Sequence, residues 1–350
     1  MIRSGPRSIA MMTTGILLLA TGELRGGDQT PPDEVVVRVP GDLDPADPSP
    51  LLILLHGYTL TGGEQEAWWR LWPVAEANGF LFASPTGSTA ANGLTYWNAN
   101  DNCCDYEGTG VDHVAYLIDL VDAIRAEHNV DPNRIHLVGY SNGGCMAYRM
   151  ACDRGDVFAS VVSVAGATWM DPANCPAEHP VHVLHVHGTE DTVVSYKGGF
   201  DPFNPPFPHP GAVGSVAQWV ENDGCDPDSW VASPPFDFTS ELFGVETEVI
   251  RYDEPCDPNG SVELWRIQGG SHFPSMTDEG RARLVEFLVE HPKVAPCPAD
   301  LDTSGRVDAG DLGILIIAWN SSASSVDLNG DGRIDSGDLG ILIAAWGPCP

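Results

Sequence analysis

Between Glu34 and Glu290 the chain alternates short apolar runs with longer stretches of helical period, and this alternation restricts the fold more than any other feature. Runs at Val35–Val39, Leu51–Leu55, Leu81–Ser84, Ile135–Val138, Ala159–Val164, Val181–Val186 and Val262–Ile267 are too short for buried helices and rich in β-branched residues, so they read as strands. Glu66–Ala77, Val111–Glu127, Gly143–Cys152, Val213–Glu221 and Glu279–Glu290 read as helices. Strands that are apolar on both faces and alternate with helices belong to a mostly parallel sheet covered on both sides. Such a sheet takes its ligands beyond the carboxyl ends of its strands, so residues that directly follow a strand are the ones to search.

Two other stretches break the alternation. Arg3 and Arg7 precede a mostly apolar run from Ile9 to Ala20, with small residues at Ala20 and Gly22. A membrane helix needs about 20 apolar residues, so this run reads as a secretory leader over residues 1–22, and no other segment is long enough to span a bilayer. At the other end, His291-Pro-Lys-Val-Ala-Pro-Cys-Pro298 forms a Pro-rich connector over 291–298. Residues 299–350 then repeat with a period of 27, Asp300 to Asp327, as a duplicated module short enough to need a staple or a metal. The net charge of −32, from 17 Lys+Arg against 49 Asp+Glu, repels phosphate backbones and anionic lipid. It argues against nucleic-acid partners and for metal cations. Nine cysteines beside so few basic residues suit an oxidising, extracellular compartment.

The chemistry concentrates after three strands. Val138-Gly139-Tyr140-Ser141-Asn142-Gly143-Gly144 sits between a strand and a helix, and Gly-x-Ser-x-Gly in that setting is a nucleophile elbow. A serine hydroxyl is a weak nucleophile at its free pKa and needs a base with an orienting group behind it. The strand at Val181–Val186 leads into His187-Gly-Thr-Glu190-Asp191, which makes Asp191 the orienter, with Glu190 as the alternative. The next apolar strand ends in Gln268-Gly-Gly-Ser-His272, so His272 is the base. Ser, Asp, His is also the chain order of α/β-hydrolases. Two backbone amides should face the developing oxyanion. Asn142, after the nucleophile, is one. Tyr58, in the loop after the early strand, is the other, with Thr59 next in line; His56 reads as a support for that loop. For the substrate, Trp97 and the Pro- and Phe-rich insertion carrying Phe200 and Phe203 are candidate stacking surfaces, although a stiff surface loop explains the insertion equally well.

Leu-His56-Gly57, Trp97-Asn98 with Cys103-Cys104, Asp131-Pro-Asn-Arg134, Gly-Tyr-Ser141-Asn-Gly-Gly, His-Gly188-Thr-Glu-Asp191 and Gly-Gly-Ser-His272 run in that order. As a set they resemble the secreted polyhydroxybutyrate-depolymerase-like esterases, which include feruloyl and acetyl-xylan esterases. The resemblance covers 34–290 and implies an α/β-hydrolase fold and an acyl-enzyme mechanism through Ser141, Asp191 and His272, with no cofactor for catalysis. The implied substrate is a plant cell-wall polysaccharide ester or a polyhydroxyalkanoate-type ester. Tyr58 stands where polymer depolymerases often carry Cys, which alters the pocket wall and weighs against polyester. A serine peptidase of the same fold and a non-catalytic binding module are the alternatives. The Cys225 and Cys256 pair also resembles one of the family's.

In the repeated module, Asp300, Asp302, Ser304, Asp308 and Asp311, with Gly305, match the oxygen-bearing positions and turn glycine of a calcium loop. Asp327, Asn329, Asp331, Asp335 and Asp338, with Gly332, repeat the pattern, so two structural Ca2+ sites are expected. Asp rather than Glu at the last position, and a helix only after each loop, resemble dockerin repeats, which implies a small all-α module and a cohesin-type scaffold partner. Ala309-Gly310 and Ser336-Gly337 differ from the Ser/Thr pairs common in cellulosomal dockerins. Cys297 and Cys349 bracket the module and can staple it. Cys103, Cys104, Cys152 and Cys175 can form two more disulfides, with a vicinal pair disfavoured by geometry, which leaves Cys145 free.

Overall fold

The structure is a computed structural model that describes residues 14–18, 34–200, 208–252, 255–294, 297–302, 304, 306–322 and 325–349. It divides into two compact units, Met1–Lys293 and Val294–Pro350.

The larger unit is built on a ten-stranded sheet. Its strands are β1 (Thr14–Leu18), β2 (Glu34–Arg38), β3 (Ser49–Leu55), β4 (Leu81–Ala83), β5 (Val130–Tyr140), β6 (Ser160–Val164), β7 (His182–Gly188), β8 (Val231–Phe236), β9 (Thr247–Tyr252) and β10 (Ser261–Ile267). They lie in the order β1-β2-β4-β3-β5-β6-β7-β10-β9-β8. The centre, from β4 through β3, β5, β6 and β7 to β10, is parallel, and both margins are antiparallel. Successive residues of a strand face opposite sides. Leu51, Ile53 and Leu55 of β3 therefore enter one core with α3 (His113–Glu127), α4 (Asn142–Arg154) and α5 (Gly211–Asn222). Leu52 and Leu54 enter the other, with α1 (Gly62–Trp69), α2 (Trp72–Ala77) and α6 (Asp278–Glu290). Leu51–Leu55 of β3 and all of β4 are apolar on both faces because both faces are covered, whereas β7 also buries His185 and His187.

Three differences from the sequence reading have local causes. The helix expected over Glu66–Ala77 is two helices: Arg70 takes a left-handed conformation at φ 54°. Pro73, which has no N–H and crowds the carbonyl four residues back, bars continuation. The buried Glu66 carboxylate secures the break by accepting the Leu71 and Trp72 N–H groups at 3.1 Å each. The hairpin β8–β9 is masked in the sequence because Val231-Ala-Ser-Pro-Pro-Phe236 carries two prolines; at the sheet margin these are tolerated, and the register shifts between Ser233 and Phe236. Thr14–Leu18, inside the apolar run read as a leader, lies as an antiparallel edge strand on β2.

The cysteines pair as Cys103–Cys104, Cys152–Cys175, Cys225–Cys256 and Cys297–Cys349, with Cys145 buried and free. The vicinal pair corrects the expectation. Cys152 and Cys175, with Cα atoms 5.0 Å apart, satisfy each other and leave Cys103 and Cys104 as mutual partners.

The smaller unit contains α7 (Ala309–Ile317) and α8 (Ser336–Ala344), and a two-residue ribbon joins Arg306–Val307 to Gly347–Pro348. Its buried core is made of equivalent positions of the two repeats: Ala299 with Val326, Val307 with Ile334, and Leu315 with Leu342. Each helix starts in a capping box, Asp308 with Asp311 and Asp335 with Asp338. Ile316, Ile317, Trp319, Ile341, Ile343 and Trp346 are left exposed.

Asp223, just after α5, supplies a pH dependence. Its side chain is fully buried; Oδ1 accepts the Val181 N–H at 3.1 Å, Oδ2 has no hydrogen-bond partner, and its backbone carbonyl accepts the Asp257 N–H. Burial pushes its pKa up to about 8; the Val181 hydrogen bond opposes this and the Asp257 charge adds to it. The folded protein therefore keeps a proton that the unfolded chain releases above pH ~4, so stability should fall as pH rises from about 4 to about 8. Asp223→Asn keeps the acceptor for Val181 and removes the charge. Its urea midpoint should exceed that of the wild type at alkaline pH and match it in mild acid, a gain of one to a few kcal/mol at about 1.4 kcal/mol per pKa unit. Equal midpoints at both ends would refute this account.

Candidate active site

Ser141 lies between the end of β5 and the start of α4 with φ 52° and ψ −112°, a strained conformation for a residue that bears a Cβ. The glycines on either side are dictated by space. A Cβ on Gly139 would sit 2.0 Å from the Gly143 carbonyl oxygen, and one on Gly143 would sit 2.4 Å from the Leu55 carbonyl oxygen of β3. Ser141 N–H donates to Val164 O at 2.8 Å, which ties the turn to β6. The Tyr140 hydroxyl donates to the backbone carbonyl of His272 at 3.1 Å, linking this turn to the loop after β10.

The loops after β7 and β10 meet across Gly188, where a Cβ would fall 2.2 Å from Gly270 O, and Glu190 N–H donates to that same oxygen. This contact brings Asp191 and His272 together. His272 Nδ1 lies 2.7 Å from Asp191 Oδ2, and His272 Nε2 lies 2.9 Å from Ser141 Oγ. Asp191 Oδ1 accepts the N–H groups of Val193 and Val194 at 2.8 and 2.9 Å, and His187 Nε2 stands 3.2 Å from Oδ2. Burial alone would raise the pKa of this carboxyl. The hydrogen bonds from His187 and His272 outweigh burial and hold it at about 2. Glu190, the alternative orienter, has an exposed side chain.

Of the two amides considered in the loop after β3, Thr59 N–H is committed to Thr95 O at 2.8 Å. Tyr58 N–H has no acceptor among the described residues, and Asn142 N–H, in the first turn of α4, has no helical acceptor. His56 is the expected support. Its Nδ1–H donates to Gly57 O at 2.8 Å, its Nε2 accepts Gly87 N–H at 2.9 Å, and burial pulls its pKa down to about 4, so it stays neutral.

The aromatic candidates fare differently. Trp97 is fully buried and is not part of the wall of the cavity above Ser141. Its backbone N–H and C=O pair with the Asn142 side-chain amide at 2.7 and 2.9 Å, and its indole N–H donates to His56 O, so it braces the site from beneath. Phe200 is exposed and outside the cavity wall, and Phe203 lies outside the described residues. The cavity above Ser141 has a volume of about 630 Å³ and is walled by Tyr58, Trp68, Tyr106, Phe273 and the Cys103–Cys104 disulfide. Tyr58 and Tyr106 meet edge to face at 5.4 Å. Tyr58 and Cys103-Cys104 are the parts of this wall that carry a sequence signal, Tyr58 in the loop after β3 and the cysteines as members of the ordered motif set. Trp68, from the end of α1, and Tyr106 and Phe273, from loops, enter through tertiary geometry that periodicity does not encode.

Residues 40–195 match the family described as Esterase PHB depolymerase, and residues 298–345 match the Dockerin type I domain. Feruloyl esterase B of Piromyces equi is 27% identical over 68% of this chain and 42% of its own length. The bifunctional acetylxylan esterase/xylanase XynS20E of Neocallimastix patriciarum is 25% identical over 70% of this chain and 31% of its own. The chain thus spans less than half the length of these two relatives. Among solved structures, the acetyl xylan esterase from Aspergillus awamori aligns with a TM-score of 0.52 at 15% identity, over 73% of this chain and 93% of that one. It establishes the α/β-hydrolase fold. Over residues 40–195 the chain thus resembles the Esterase PHB depolymerase family, on an α/β-hydrolase fold, and over residues 298–345 it resembles the Dockerin type I domain.

Proposed function

We propose that this protein is a carboxylic-ester hydrolase that works through an acyl-enzyme on Ser141. The hydrogen-bonded series Ser141 Oγ, His272, Asp191 at the floor of an aromatic-walled cavity carries this reading. His272 Nε2 takes the hydroxyl proton as Ser141 Oγ attacks the ester carbonyl, and returns it to the departing alcohol. A water molecule then enters by the same exchange, releasing the acid and restoring Ser141. Asp191 stays ionised and orients the imidazole. The Tyr58 and Asn142 amides hold the oxyanion. Flat aromatic faces from Tyr58, Tyr106, Trp68 and Phe273 suit an aryl acyl group, and the relatives named for feruloyl and acetylxylan esters support a plant cell-wall ester over a polyester.

Ser141→Ala should lower p-nitrophenyl acetate hydrolysis by about 10³-fold or more, and Asp191→Asn by a comparable factor, without loss of folded signal by circular dichroism. Methyl ferulate, acetylated xylan and hydroxybutyrate oligomers assayed together should rank the aryl ester first. A p-nitroanilide turned over as fast as the ester would favour a peptidase instead, and full activity in Ser141→Ala would remove the mechanism.

The apolar run within 1–22 is proposed as a secretory leader, in keeping with the four disulfides among the described residues. The repeats are proposed to hold calcium. In the first, carboxylate oxygens of Asp300, Asp302 and Asp311 all lie within 4.8 Å of one another, a hard-oxygen set that fits Ca2+. Asp311 also accepts the N–H groups of Leu301, Asp302 and Asp308; Asp338 accepts those of Leu328, Asn329 and Asp335, so the second loop is shaped alike. Asp300, Asp302, Ser304, Asp308 and Asp311 would hold one ion, and Asp327, Asn329, Asp331, Asp335 and Asp338 the other. The exposed Ile316, Trp319, Ile343 and Trp346 suit a cohesin-type partner. Calcium at a thousandfold excess over its dissociation constant should stabilise this unit by about 4 kcal/mol. In calorimetry of the full chain, one transition should move up with calcium and lose that response in the Asp311→Asn/Asp338→Asn double variant. Identical traces with calcium and with chelator would rule the metal out.

A further inference from the structure

His187 does nothing in the reaction as described, yet it is fully buried and its Nε2 reaches Asp191. Its proton can be placed by elimination. Nε2 lies 2.8 Å from the Val194 carbonyl oxygen, which only accepts, so Nε2 carries the hydrogen and shares it with Asp191 Oδ2. Its Nδ1 lies 3.0 Å from His185 Nε2; the Tyr148 hydroxyl has no acceptor other than His185 Nδ1 among the described residues, so the His185 hydrogen sits on Nε2 and is donated to His187 Nδ1. His185 Nδ1 is in turn an acceptor, 2.7 Å from the Tyr148 hydroxyl. Burial drives His185 well below the ordinary histidine range and Tyr148 well above the ordinary phenol range, so both stay uncharged. Three buried groups thus donate in one direction, Tyr148 to His185 to His187, and the series ends on the carboxylate. Aligned donors of this kind polarise one another and favour negative charge at the terminus.

We propose that His187, backed by His185 and Tyr148, is a positioning residue for the Ser141, His272, Asp191 relay: its fixed Nε2–H tautomer holds Asp191 Oδ2 in the orientation that receives His272. This rests on the ester-hydrolase reading above. With that donor present the carboxylate shares its charge between two imidazoles. Without it, Asp191 is held only through Oδ1 by the Val193 and Val194 amides, and its whole Oδ2 charge falls on His272. The other titratable groups facing this cluster include Tyr196, edge-on to His187 at 5.7 Å, Tyr140, 5.5 Å from the His272 ring, Glu241, across Ser271, and the buried thiol of Cys145, beside Tyr148. None of them donates to Asp191 among the described residues.

The test uses the full chain as wild type, His187→Leu, His187→Gln and Tyr148→Phe, with active sites titrated by a phosphonate ester. Glutamine places an N–H near the Nε2 position and leucine does not. His187→Leu should lower kcat about tenfold with KM within about twofold, since the residue touches no substrate. It should also shift the acid limb of kcat/KM upward by about half a pH unit or more, because a carboxylate with one donor fewer stabilises the imidazolium better. His187→Gln should recover the wild-type limb and most of kcat, and Tyr148→Phe should move the limb a smaller distance the same way. The low-field NMR resonance of the proton between His272 and Asp191, followed against pH, should show the same displacements. Since that signal needs no substrate, a wild type without ester hydrolysis overturns the functional reading and leaves this one to the NMR titration. An unmoved limb and unmoved NMR midpoint in His187→Leu overturn the proposal, as does equal loss in the leucine and glutamine variants. Where His187→Leu does not fold, Tyr148→Phe decides alone, and a wild-type limb and midpoint there overturn it.

Discussion

Backbone meets backbone without a side chain between them at three places beneath the cavity: Gly139 against Gly143, Gly143 against Leu55 and Gly188 against Gly270. The rest of the site depends on these contacts. The first two press the turn at Ser141 against β3, so the hydroxyl stands above the sheet and the amides of Tyr58 and Asn142 come from adjoining strand ends. The third draws the loops after β7 and β10 into contact, and only then do Asp191 and His272 share a hydrogen bond. Each distance is too short for any Cβ, so the site is a property of four strand ends packed to backbone contact.

The electrostatics follow from the same burial. A site this dry disfavours every charge that is not specifically held. His56, used as a bracket, is driven neutral and spends both ring nitrogens on the loop it supports. Asp191 would also be driven neutral but for its four donors. One carboxylate is thereby kept ionised among imidazoles, which gives the imidazole of His272 a fixed direction toward Ser141.

Ser141, Asp191 and His272 were legible in the sequence because each follows a recognisable strand, and because glycines that look arbitrary in sequence record backbone contacts in space. Most of the cavity wall was not legible. Trp68, Tyr106 and Phe273 come from a helix and two loops whose exposure is decided by what the sheet brings near them. Trp97 misled for the converse reason: an aromatic residue beside a polar motif reads as a ligand surface, whereas its backbone serves as the docking strip for the Asn142 amide. The edge hairpin β8–β9 was hidden by Pro234 and Pro235, since a strand at a margin escapes the pairing rules that make central strands readable.

The smaller unit was readable for a different reason. A repeat of 27 residues that is too short to fold on one copy must bury its apolar face against the other copy, so duplication predicts which positions are buried: Leu315 and Leu342, Val307 and Ile334, Ala299 and Val326 all lie in one core. The same symmetry duplicates what is left outside. Ile316 with Ile343, and Trp319 with Trp346, are exposed in both copies, although burying any of them against solvent-excluded surface would add stability. Folding of this unit is already served by its core pairs, its capping boxes and the Cys297–Cys349 disulfide. An apolar face kept in both copies after those requirements are met is best understood as surface held in reserve for another molecule.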